Sequence, residues 1–277
     1  MRSGIHARSQ IQPTRTASSP RRLPRRALTL LEILIAMGIA AMIMAATATL
    51  VKTSQDAFVA NTSQARILQS GRLFLTRVRR LFAESFANEL FPGARVIAQA
   101  SPSGVFPDCL VIWHPGGPPE SPDSLPRLKE LIFFYPNPRR PNEILEVTVP
   151  HLGNPAPAYE DDTAWQSVLA SVKLDPLRKS ITWCDQLRSV AIDGSRRGML
   201  RFAIRMRPTS QEWLDTAASW ESLAWPQGMF SPQTGIRYVR LGIELQIQTD
   251  EKDTSANGAV PLLASASRKY VLRAERR

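Results

Sequence analysis

Glu32 is the only charged side chain between Arg26 and Lys52, in a stretch otherwise built of apolar residues, three threonines and one glycine. The apolar run from Ala27 to Val51 is long enough to cross a bilayer as a helix, which takes roughly 20 residues. A carboxylate inside such a span costs on the order of 2–3 kcal/mol at the bilayer centre, so it calls for a function. The chemistry open to it is ion pairing, because a buried charge is tolerated only when another group compensates it. Immediately before the run stands an arginine-rich leader that ends in Arg25-Arg26-Ala27.

The order of these residues resembles the N-terminal signature of type IV prepilins and type II secretion pseudopilins. In that family a basic leader ends in a small residue, a hydrophobic residue opens the mature chain, and a glutamate stands fifth within a long apolar helix. Here Ala27 ends the leader, Leu28 opens the mature chain and Glu32 falls fifth, in Thr29-Leu30-Leu31-Glu32. Alanine replaces the usual glycine before the cut, and leucine replaces the commoner phenylalanine after it. The resemblance covers about the first 60 residues. It implies cleavage between Ala27 and Leu28 by a prepilin peptidase and N-methylation of Leu28. It also implies that Glu32 pairs with the N-terminal ammonium of an adjacent subunit and so sets axial register. The implied partners are other pilins or pseudopilins, the inner-membrane assembly platform and membrane lipid, with no cofactor. The size of the chain is similar to that of the larger, J-like minor pseudopilins of a secretion pseudopilus; a minor pilin for DNA uptake or adhesion is the alternative.

Two other readings of the same segment make different predictions. A secretory signal peptide would use Ala46-Thr47-Ala48 as its cleavage site, and Arg25-Arg26 would fit a twin-arginine signal. Its apolar core would then be about 7–15 residues, shorter than the run observed, and would not contain a glutamate. A plain membrane anchor also leaves Glu32 without a purpose.

Other chemistry-bearing residues are sparse. The three histidines are His6 in the leader, His114 beside Pro115 and His151 after Pro150, none of them in a nucleophile or metal motif. No phosphate-binding loop, dinucleotide fingerprint or nucleophile elbow occurs, so nothing points to an enzyme. Glu160-Asp161-Asp162 and Asp250-Glu251-Lys252-Asp253 lack the spacing of a calcium loop and read as solvated turns. Cys109 and Cys184 lie in apolar, strand-like surroundings. They form either one disulfide or two buried thiols, since sequence does not fix the distance between them.

Seven of the eleven net positive charges lie in residues 1–26, so removal of the leader leaves +4. The basic isoelectric point is therefore largely a property of the leader, and no specific nucleic acid is expected as a partner. By the positive-inside rule the leader is cytoplasmic, and the chain after Val51 lies outside the inner membrane.

Proline usage marks the elements that must carry this segment. None occurs from Arg25 to Phe91, and 19 follow in the remainder. Because proline breaks helix interiors, one helix is expected to about Leu90, ended by Phe91-Pro92-Gly93. Beyond Val51 it turns amphipathic, with Phe58, Ala65, Leu68, Leu75, Val78, Phe82, Phe86 and Leu90 forming a stripe. The arginines at 72–80 are expected on its solvated face, with the binding of an acidic partner as the alternative. Short β-prone runs follow at 95–100, 109–113, 130–135, 144–149, 200–206 and 239–247, with an edge strand at 270–272. Their alternation argues for antiparallel pairing. Residues 114–128 are expected to form an exposed loop. Trp213, Ala217, Trp220 and Ala224 have helical spacing, as a packed helix or a binding face. The expected fold is α+β and pilin-like, a long N-terminal helix laid on an antiparallel sheet with loop insertions. Its parts are a leader (1–27), a transmembrane assembly segment (28–51), an amphipathic continuation (52–91) and a β-rich head (92–277).

Overall fold

The computed structural model describes residues 29–209, 212, 230, 234–248 and 259–271. The chain divides into two compact units, residues 1–57 and 58–277. One helix, α1 (Leu30–Glu84), belongs to both. In the first unit every described residue is helical or starts the helix, and all are exposed.

In the second unit the strands form three antiparallel groups. A five-stranded meander runs in chain order through β1 (Ala94–Ser101), β2 (Gly104–Trp113), β3 (Leu131–Pro136), β4 (Ile144–Thr148) and β5 (Lys179–Cys184). A hairpin of β6 (Ser189–Ile192) and β7 (Ser195–Gly198) turns at Asp193-Gly194, both with positive φ. That is the Asp-Gly signature of a two-residue hairpin. A three-stranded sheet follows, in the order β10-β9-β8, from β8 (Leu200–Arg207), β9 (Ile236–Gln248) and β10 (Ala259–Val271). The long N-terminal helix packed against antiparallel sheet is the pilin-like α+β arrangement expected.

Two cores lie on opposite faces of the five-stranded sheet. On one face Phe74, Leu75, Val78, Leu81 and Phe82 of α1 pack with Leu110, Ile112 and Phe134 and with the inner face of the three-stranded sheet. On the other, Trp165, Leu169 and Val172 of a second helix, α2 (Asp162–Leu174), cover Val111, Phe133 and Val147. This explains why β2, β3 and β4 read as continuous apolar runs although their pairing is antiparallel. Both faces are buried, and alternation survives only in β8, β9 and β10, which are buried on one side.

Several expectations need correction. The helix ends at Glu84, six residues before Leu90, because other groups take over its backbone bonds. The Phe86 amide donates to the Trp113 carbonyl at 2.9 Å, and the Asn88 carboxamide oxygen accepts from the Leu90 and Phe91 amides. Phe58 and Leu90 are exposed, whereas Phe74 and Leu81, outside the expected stripe, are buried. The acidic run at 160–162 is a helix start: Asp161 caps α2 by accepting from the Ala164 amide at 2.9 Å. The edge strand expected at 270–272 begins at Ala259. Packing of α1 on the sheets begins near Leu68, with Ile67 half-buried. Gly71 permits the approach, since an added Cβ would lie 2.7 Å from Leu262 Cδ1.

A forked ion pair ties this helix to the meander, beside a weaker bond from the Ser70 hydroxyl to the Cys184 sulfur at 3.7 Å. Arg77 was expected on the solvated face, but its guanidinium makes two bonds to Glu146 of β4, Nε–Oε2 at 3.1 Å and Nη2–Oε1 at 2.7 Å. Trp183 of β5 donates its indole N–H to the same carboxylate at 2.7 Å. Glu146 is buried and the arginine is only one-third exposed, so the bidentate pair is worth more than a surface ion pair.

Glu146→Leu should therefore destabilise the fold by about 2–4 kcal/mol, because it orphans the guanidinium and the indole N–H together. Replacing both partners, Arg77→Leu with Glu146→Leu, should cost less than the single change. Urea unfolding of the full chain in detergent micelles checks both, and an equal or larger loss in the double variant would remove the pair from its structural role.

Burial also pushes the phenols of Tyr135 and Tyr159 up to about 12. An unfolded tyrosine ionises near 10. The folded state thus holds protons that the unfolded state gives up between those values, and stability must fall as pH rises through the interval. The unfolding midpoint should begin to fall above about pH 8.5, where the two buried thiols ionise only in the unfolded chain, and fall further between about pH 10 and 12 in step with phenolate absorbance.

Candidate assembly segment

The start of α1 is built by its own residues. Thr29 precedes the first helical residue, and its hydroxyl accepts from the Glu32 amide at 3.3 Å. The Glu32 carboxylate returns the bond, accepting from the Thr29 amide at 3.0 Å and from its hydroxyl at 3.3 Å. This is a capping box, a threonine followed three residues later by a glutamate, which satisfies two donors that a helix start leaves open. The sequence carries that signal in Thr29-Leu30-Leu31-Glu32, the same residues that carry the family resemblance.

Past the cap, the segment hides its own polarity and shows only hydrocarbon. The hydroxyls of Thr47, Thr49 and Thr53 donate to the carbonyls of Ile43, Ala45 and Thr49, each about one turn back, at 2.7–2.8 Å. No side-chain donor on those residues then needs water. Leu30, Leu31, Ile35, Met37, Met42 and Leu50 are all more than half exposed. The helix is long and apolar enough to span a membrane, and none of the residues in its most apolar window is buried.

The opposite end of α1 is held by the last strand. Arg268 of β10 donates to the carbonyls of Phe82 and Ser85, supplying the cation that the helix lacks in its own last turn. Next to it the Ser85 hydroxyl and the Tyr270 phenol share a hydrogen bond of 2.6 Å. Gly93, with φ of 85°, leaves room for that phenol, which would otherwise meet a Cβ at 2.4 Å.

The remaining sequence candidates do not converge on one site. Cys109 points into the core under α2 and Cys184 into the core under α1. They occupy opposite faces of one sheet, three strands apart, roughly 14 Å at ordinary strand spacing. Both are free thiols, so of the two open readings the structure gives the unpaired one. His114 lies 3.5 Å from Glu84, and His151 lies 2.9 Å from Asp175 in a turn. Arg80 bonds Glu84 on the helix surface at 2.9 Å, while Arg72 and Arg79 are exposed. Among the described residues no three metal-ligating side chains come together. Ala27 and Leu28, the tryptophan-bearing helical pattern at 213–224 and the acidic run at 250–253 lie outside the described residues.

Comparisons with protein-family models, with characterised proteins and with solved structures each found no match.

Burial raises the pKa of both cysteines, which keeps them protonated and poorly nucleophilic. Iodoacetamide at neutral pH should leave the folded chain unmodified and add two groups after denaturation, without prior reductant. A mass deficit of one disulfide, or fast labelling of either thiol in the native state, would contradict this placement.

Proposed function

We propose that this chain is a structural subunit of a pilin-like assembly, a minor pseudopilin or pilin cut by a prepilin peptidase and held in the inner membrane by α1. The observation that carries the reading is Glu32. It stands in the first turn of an uncovered apolar helix, fifth after the proposed scissile bond. Before cleavage the leader continues into the cytoplasm. Cleavage after Ala27 places a new ammonium on Leu28, next to the capping threonine, and family precedent adds a methyl group without removing its charge. That ammonium can pair with Glu32 of a neighbouring subunit, so two charges that are costly in hydrocarbon offset each other. Only one axial offset between adjacent helices brings them together. The pair thereby sets register, and breaking it by removing one partner would cost about 3–5 kcal/mol. The partners are other pilins and an inner-membrane assembly platform. Secretion by a type II pseudopilus is the preferred system, on the chain's size and sheet-rich head.

The local cap gives a way to separate two roles of one carboxylate. Glutamine can serve the capping box as well as glutamate, but it cannot pair with an ammonium. Glu32→Gln should keep membrane insertion and cleavage, yet reduce crosslinking to partner pilins. Thr29→Ala should weaken the helix start by about 1 kcal/mol and leave crosslinking near wild type. The reverse ranking would reassign Glu32 to capping alone. Co-expression with a prepilin peptidase should shorten the chain by 27 residues and expose Leu28, read by N-terminal sequencing. A mature chain beginning at Thr49 would instead establish a conventional signal peptide.

A further inference from the structure

The three-stranded sheet has one face in the core and, among the described residues, one largely exposed face, and the strand register arranges the exposed face in transverse rows. Arg205 and Arg240 stand directly opposite each other in one row. Ala203, Gly242 and Ser265 form the next row, and Arg201, Glu244 and Leu263 the one after. The row of small side chains is the floor of a cleft of about 440 Å³ between the other two.

Charge on this face is one-sided. Arg207 and Lys269 flank Tyr238 just beyond the arginine pair. Among the described residues the face thus carries Arg201, Arg205, Arg207, Arg240 and Lys269 against the single carboxylate of Glu244, which lies 3.9 Å from Arg201. Like charges directly across a strand pair destabilise a sheet. Among the described residues no carboxylate comes within ion-pair distance of Arg205 or Arg240. The folded chain keeps an unfavourable pairing that an added anion would relieve.

Gly242 supplies a second, independent argument. It sits inside the central strand with an ordinary extended backbone, and an added Cβ would meet nothing nearer than Ala203 at 3.8 Å. Neither a turn nor tight packing demands glycine there. A glycine inside a strand weakens it and suits a place where another backbone approaches closely.

We propose that this face docks an acidic polypeptide segment of a partner protein, its carboxylates on Arg205 and Arg240 and its backbone passing over Gly242. Polypeptide fits better than nucleic acid for three reasons. Leu263, 72% exposed, offers an apolar contact beside the charges. Glu244 would face a phosphate strand laid across the cleft. Phe230 already stacks on Tyr238 at 5.4 Å between centroids, which occupies a ring that could have stacked on a base. The docking does not depend on the filament reading, and cleavage and helix crosslinking are unaffected by it.

The test uses the full chain in detergent micelles and a fluorescein-labelled decapeptide alternating glutamate and alanine, read by anisotropy. The wild type should bind, and Arg205→Glu combined with Arg240→Glu should weaken binding about tenfold or more. Gly242→Tyr fills the cleft without touching a charge and should weaken binding to a similar degree. Circular dichroism verifies that each variant keeps its sheet. Unchanged peptide binding in either variant overturns the proposal. So does tighter binding of a duplex oligonucleotide than of the peptide with the same dependence on the two arginines.

Discussion

A helix that shows hydrocarbon on every side must be covered by something other than its own chain. In α1 that condition holds from Ile33 to Val51, where apolar side chains stand exposed and the threonine hydroxyls are spent on the helix's own carbonyls. Lipid or neighbouring helices are the only environments that cover such a surface without leaving polar groups unsatisfied. The functional reading follows from this constraint together with one exception to it, the carboxylate of Glu32. The exception is partly resolved within the chain by the bonds to Thr29, which neutralise donors but leave the charge itself uncompensated.

The second unit solves a different problem, how to grip the end of so long a helix. Apolar side chains on one flank of α1 are shared between two sheets, and Gly71 lets the backbone come close enough for Leu262 and Ile247 to pack on it. Hydrophobic burial has no direction, so it leaves rotation and sliding of the helix weakly specified. The forked contact of Arg77 with Glu146 and the cap from Arg268 add that direction. Both contacts act on the part of α1 that lies within the second unit, beside its buried flank.

The sequence was most readable where local chemistry decided the outcome. The apolar run and the body of the long helix follow from composition and proline usage, and the alternating strands at 200–206 and 239–247 from periodicity; each is where expected save the helix end. Legibility failed where partners came from far along the chain. The helix stops at Glu84 because Trp113 and Arg268 take over its bonds, and no residue near 84 announces that. Arg77 looks solvated until β4 brings Glu146 beneath it. Three further elements have local signals in the sequence: the aspartate cap of α2, the Asp-Gly turn of the β6–β7 hairpin, and the threonine–glutamate pair that opens α1. The thiols could not be assigned by spacing, because a one-residue change of parity on a strand decides which face of the sheet each occupies.

The closing of the helix end by β10 has a consequence in time. Ser85 and Tyr270 are 185 residues apart in the chain, and Arg268 lies 183 residues beyond the carbonyl of Ser85 that it caps. A ribosome therefore completes the apolar segment long before it makes the strand that locks the other end of the same helix. Loop closure over so many residues is slow compared with forming a helix or a hairpin. Anchoring can thus be complete while the head is still open. The maturing chain spends that interval as a tethered, incompletely packed polypeptide whose unpaired strands are the surfaces most in need of protection.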